Sequence, residues 1–163
     1  MKYARFEELP VWKAAIELAL QLCAFAGQHR LPAGLRDQLE RAVVSISNNI
    51  AEGFERGTTS ELLTFLYTAR GSAGEVRSML CLLEGLPGLG DFRSEISDLR
   101  SEAEGIGRQL RAWAASLQES PIRGQRHLTE AARRKAQEDH KAEEFLAYAA
   151  EVLRRGREEK AHE

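Results

Sequence analysis

Apolar residues recur at intervals of three and four along four stretches of the chain. The first reads Leu9, Trp12, Ile16, Ala19, Cys23, Ala26, and the second Leu35, Leu39, Ala42, Ile46, Asn49, Gly53. The third reads Leu62, Leu66, Ala69, Ala73, Val76, Leu80, Leu83. The fourth reads Phe92, Ile96, Leu99, Ala103, Ile106, Leu110, Trp113, Leu117. Side chains so spaced share one face of an α-helix and must be buried against other helices. The spacing predicts helices over about 9–26, 35–56, 59–84 and 92–118. Short connections between them predict an antiparallel, up-down-up-down four-helix bundle.

Punctuation supports the same division. Pro10 stands where a first-turn proline is tolerated. Gly27 and Leu31-Pro32-Ala33-Gly34 separate the first two helices, and Gly57 is expected to end the second. Thr58 with Glu61 has the spacing of a capping box. Gly85-Leu86-Pro87-Gly88-Leu89-Gly90 breaks the chain before the fourth helix, with Asp91 as its expected N-cap. After Ser120-Pro121 the pattern changes. Residues 121–163 hold 10 basic and 9 acidic side chains and a short amphipathic patch of Phe145, Leu146, Ala149, Val152 and Leu153. This predicts a bundle over 1–120 and a charged helical C-terminal extension over 121–163, which either docks on a partner or stays solvated.

Composition fixes the fold class as all-α. Leu (21) and Ala (23) far outnumber Val (5), Ile (6) and Thr (5), which disfavours a sheet. The net charge is -2, so bulk electrostatics does not mark a nucleic-acid or membrane binder. No leader-like or membrane-length apolar run is present, and the expected location is cytoplasmic. Cys23 and Cys81 fall within apolar helical patterns and are expected to be buried free thiols.

Candidate chemistry is sparse. The one Glu-x-x-His spacing, Glu159 to His162, stands alone, and a single copy cannot build a carboxylate-bridged metal pair. No phosphate loop or nucleophile elbow occurs. The reading is a protein that is not an enzyme, with no catalytic or metal-binding residue and no cofactor. Two features go against the rules of a plain core. Ser45, Asn49, Glu52 and Arg56 share one face of the second helix, and Glu61, Thr64, Thr68, Ser72 and Glu75 form a similar row on the third. Brought together, they form either an internal polar network that fixes packing or a ligand or RNA contact. Gly71, Gly74 and Ser78, with Gly105 and Gly107, place small residues inside helices. Each interior glycine costs about 1 kcal/mol relative to alanine, which suggests either close backbone approach or plain tolerance.

The strings Gln38-Leu39-Glu40-Arg41-Ala42 and Ser45-Ile46-Ser47-Asn48-Asn49-Ile50-Ala51-Glu52-Gly53, followed by Arg56, resemble the hallmark of the bacterial four-helix bundle proteins encoded in 23S ribosomal RNA intervening sequences. Phe6 to Trp12, Glu61 to Leu66 and Ala69 to Glu75 are also similar to that family, so the likeness spans about residues 5 to 117. The resemblance implies a homopentamer. It also implies kinship with the accessory protein of diversity-generating retroelements, a basic pentameric barrel that binds nucleic acid and a reverse transcriptase. The extension after Pro121 departs from the family pattern, and residues 1–120 carry 13 basic and 16 acidic residues where a retroelement protein is expected to be basic. Local clusters offer phosphate contacts instead: Arg70 with Arg77, and Arg100 with Arg108 and Arg111. Two readings follow. One is an oligomeric scaffold that presents a surface to RNA or to a nucleoprotein partner such as a reverse transcriptase. The other is a protein-interaction module that docks through its C-terminal helix and touches no nucleic acid.

Overall fold

The computed structural model describes residues 3–119 and Lys141, so the expected extension over 121–163 lies outside the described residues, as does the Phe145 to Leu153 patch. Four α-helices make up the described part: α1 (Pro10–Gln28), α2 (Ala33–Glu55), α3 (Thr59–Gly85) and α4 (Arg93–Glu119). Short 3-10 turns at Phe6–Glu8 and Gly90–Phe92 precede α1 and α4, and no strand occurs among the described residues. The helix α2 packs on α1 and α3, and α4 packs on α3 and α1, closing a helical bundle.

The stripes of α2, α3 and α4 point inward largely as their spacing dictates. All seven expected residues of α3 are buried, as are Leu39, Ala42, Ile46 and Gly53 of α2 and Ile96, Leu99, Ala103, Ile106 and Leu110 of α4. The helix α1 is different. Its buried residues are Val11, Ala15, Leu18, Ala19, Leu22, Phe25 and Ala26. Trp12 and Ile16 are only half-buried, and Cys23 is exposed. Most of the circumference of α1 is apolar, so two adjacent stripes satisfy the same spacing, and packing selects the one that carries Leu18, Leu22 and Phe25. Cys81 is exposed too, one position off the Val76-Leu80-Leu83 face. The two thiols are free but not buried, contrary to the sequence expectation.

Local chemistry sets the ends. Pro10 begins α1, where its missing N–H costs no helical hydrogen bond. At the start of α3 the Thr58 hydroxyl oxygen accepts the Glu61 N–H at 3.2 Å and its proton goes to the Glu61 carboxylate at 2.8 Å. The helix α2 stops at Glu55, with Arg56 rather than Gly57 as the cap. Asp91 sits inside the 3-10 turn ahead of α4 and is not its N-cap, because the turn carries the chain to Arg93 before the α-helix begins. In the preceding loop Gly88 has φ +88°, a left-handed conformation that favours glycine.

The interior glycines do not share one explanation. A Cβ on Gly53 would stand 2.6 Å from Phe65 Cβ and 3.2 Å from Leu62 Cδ1. This is the close approach of α2 to α3, and no larger residue fits without movement. Among the described residues nothing comes within 4 Å of a Cβ at Gly71, Gly74 or Gly107, and at Gly105 only the Arg108 guanidinium does, at 3.9 Å. No described residue therefore makes a close approach at Gly71 or Gly74.

Candidate nucleic-acid interface

Two helix seams carry the polar residues that the sequence singled out. On the first, between α2 and α3, Asn49 lies one turn after Ser45. Its Nδ2 donates to the Ser45 carbonyl at 2.7 Å and to Ser45 Oγ at 2.9 Å. Ser45 Oγ lies 3.0 Å from Ser72 Oγ, and Ser72 Oγ donates to the Thr68 carbonyl at 3.2 Å. With the Ser72 proton given to Thr68, the Ser45 hydroxyl donates to Ser72. The result is a directed chain from Asn49 through Ser45 and Ser72 to Thr68. Ser72 is 7% exposed, so its satisfaction matters to the fold.

The other members of the expected polar row stand apart from that chain. Glu52 and Arg56 form an exposed ion pair one turn apart, with the Arg56 guanidinium 5.1 Å from the centre of the Phe65 ring. The hydrogen bond to Glu52 raises the Arg56 pKa above its ordinary value. Glu75 is exposed. It lines a cleft of about 510 Å³ with Gln38, Arg41, Ser45 and Ser78, without joining the hydrogen-bond chain.

The second seam, between α3 and α4, carries the five arginines. Arg100 reaches across to Glu84 at 2.9 Å and to Cys81 Sγ at 3.7 Å, and these two partners, the thiol first, raise its pKa. Arg77 approaches Glu104 at 3.9 Å, and Arg108 pairs with the same carboxylate at 2.9 Å. Arg70 lies over the Tyr67 ring, 5.4 Å from its centre. Arg111 is exposed and makes no ion pair among the described residues. All five arginines thus lie on the same pair of helices, but three of them already have carboxylate partners.

Three features of the structure go beyond what the sequence predicts. The first is the bond from Gln118 Nε2 to the Tyr67 hydroxyl at 2.8 Å, which joins residues 51 positions apart. The second is the pair of tilted ring contacts that His29 makes with Phe25 and Phe92, with ring centres 4.5 and 3.9 Å away. The third is the steric demand at Gly53. Only Gly53 left a sequence signal, a glycine on the buried stripe of a helix. Among the described residues no group of three His, Cys, Asp or Glu is placed to hold a metal ion, and no helix is long and apolar enough to cross a membrane.

The sequence model of the 23S rRNA-intervening sequence protein family matches residues 7–112, from the turn ahead of α1 into α4. No curated protein matches the chain.

Proposed function

The chain belongs to the 23S rRNA-intervening sequence protein family, and from that premise we propose that it is a non-enzymatic oligomeric scaffold that presents its α3/α4 surface to RNA or a nucleoprotein partner such as a reverse transcriptase. In this reading the helices run up-down-up-down and antiparallel. Partner numbers support that order. Gly53 meets Leu62 and Phe65 while Ser45 meets Ser72, and Tyr67 meets Gln118 while Glu84 meets Arg100. The copies form a homo-oligomer, with five as the first expectation from the family. Exposed apolar side chains at Leu20, Val44 and Leu82 give such an assembly surface to bury.

The observation that carries the scaffold reading is the use made of the polar row in the family's hallmark string. Ser45, Asn49 and Ser72 spend their hydrogen bonds on one another and on the backbone, tying α2 to α3. The test is a mobility shift with RNA at low and at physiological salt, run beside light scattering of the full chain. Shifted RNA that is released as salt rises supports the reading, because each neutralised phosphate returns a counterion. A wild-type protein that fails to shift RNA even at low salt removes the RNA arm. An 18.2 kDa species at micromolar concentration removes the oligomer.

A second reading, a protein-interaction module without nucleic-acid contact, is favoured by one observation. Glu84 pairs with Arg100, and Arg77 and Arg108 share Glu104, so much of the positive charge of this surface is already offset.

A further inference from the structure

The five arginines of α3 and α4 fall into two groups. Arg77, Arg100 and Arg108 have carboxylates within ion-pair distance, so an approaching phosphate would compete with Glu84 and Glu104. Arg70 and Arg111 have none among the described residues. The reason is visible in the helices themselves. The positions three and four away from Arg70 are Leu66, Tyr67, Ala73 and Gly74, and those around Arg111 are Gly107, Arg108, Ala114 and Ala115. No acid stands one turn away from either.

Two cross-helix contacts place Arg111 relative to α3. Tyr67 meets Gln118 and Arg77 meets Glu104. Arg111 lies midway between residues 104 and 118, so it is level with the stretch of α3 around Gly71 and Gly74. Among the described residues nothing approaches within 4 Å of where a Cβ on either glycine would stand, so they leave the space beside that stretch open. At one end of it Tyr67 is 40% exposed, its hydroxyl is held by Gln118, and the Arg70 guanidinium lies over its ring.

We infer that this patch, Tyr67 with Arg70, Arg111 and Gln118, binds an unpaired stretch of RNA. A base stacks on the Tyr67–Arg70 pair, and Arg70 and Arg111 take the flanking phosphates. Aromatic rings and guanidinium planes both accept stacked bases, and the stacking is tolerant of sequence. The bases of a duplex are already stacked on one another, so the occupant is single-stranded. Gln118 is a positioning residue that fixes the ring through its hydroxyl. The inference rests on the RNA arm of the proposed function and narrows it to one end of the surface.

The experiment is fluorescence anisotropy of a fluorescein-labelled single-stranded oligouridine with the full chain across a salt series. Tyr67→Ala is expected to weaken binding about tenfold with the salt slope unchanged, because stacking is not ionic. Tyr67→Phe keeps the ring but loses the bond from Gln118, so it weakens binding less than Tyr67→Ala does. Arg70→Ala and Arg111→Ala each weaken binding and flatten the dependence of log affinity on log salt by about 0.7. Arg100→Ala and Arg108→Ala weaken binding less than Arg70→Ala and Arg111→Ala, because their charges are already shared with Glu84 and Glu104. All of these side chains are at least partly exposed, and an unchanged helical circular dichroism spectrum certifies each variant. A wild type that binds neither oligouridine nor duplex RNA at low salt overturns both the RNA reading and this site. A wild type that binds while Tyr67→Ala and Arg111→Ala bind equally well overturns the site alone, as does a wild type that prefers duplex RNA.

Discussion

The two seams of α3 are built from different materials. Against α2 it is joined by a neutral hydrogen bond, Ser45 to Ser72, with Asn49 orienting Ser45 from within α2, and by a backbone approach so close that Gly53 has no room for a methyl group. Against α4 the polar contacts are made by charges and long side chains at the rim: Arg100 with Glu84, Arg77 with Glu104, Gln118 with Tyr67. The first seam is short-range and demanding of shape, so it fixes the register of two helices. The second is solvated and adaptable, and a partner can rearrange it at little cost to the fold. The hallmark string lies on the demanding seam and the unpaired arginines on the adaptable one.

Both seams rest on a shared apolar core, and the largest effects are expected there. Leu66 is 1% exposed and Leu110 is fully buried. Leu66→Ala or Leu110→Ala is expected to cost about 2–5 kcal/mol, measured by urea unfolding. A loss under about 1 kcal/mol in both would mean that the described core is not the one that holds the protein together.

Glycine gives a contrast within a single residue type. Gly53→Ala puts a methyl group 2.6 Å from Phe65 Cβ, and overpacking of this kind costs about 1–3 kcal/mol. Gly71→Ala meets no described residue and gains up to about 1 kcal/mol of helix propensity. Thermal melts of the two variants should therefore move in opposite directions. If both stabilise, the α2/α3 seam is looser than its geometry and the comparison between seams collapses.

Much of this was legible in the sequence, and the misses have physical causes. The helices were readable because α2, α3 and α4 each bury one stripe and expose the rest. The helix α1 misled because it is apolar on most sides, so spacing alone could not choose between Trp12-Ile16-Cys23 and Val11-Leu18-Leu22. The grouping of Ser45, Asn49 and Ser72 followed from periodicity, but Glu52, Arg56 and Glu75 share their faces without joining the hydrogen bonds. Shared helical phase places a side chain on a face and says nothing about whether its reach ends on a neighbour or in water. The arginines show the same limit. Glu104 is visible as an i−4 partner of Arg108, whereas the pairing of Arg100 with Glu84 depends on the register of α3 against α4.

The smallest effects separate the seams by their response to salt. Asn49→Ala removes the donor that Ser45 Oγ and the Ser45 carbonyl accept from, in a part-buried setting. The cost is expected to be about 1 kcal/mol at any ionic strength, since no net charge is involved. Arg100→Ala removes an ion pair whose side chains are 38% and 25% exposed. Its cost is expected to be the smaller of the two already at low salt, because solvent screens a pair at the rim. It should shrink further as the screening length falls from about 10 Å at 0.1 M salt to about 3 Å at 1 M. Urea unfolding of both variants at the two salt concentrations provides the check. A salt-dependent loss for Asn49→Ala, or a salt-independent one for Arg100→Ala, would show that the neutral seam and the charged seam do not differ in kind. The fold would then depend on the α3/α4 surface no less than on the α2/α3 seam, leaving little freedom for a partner to rearrange it.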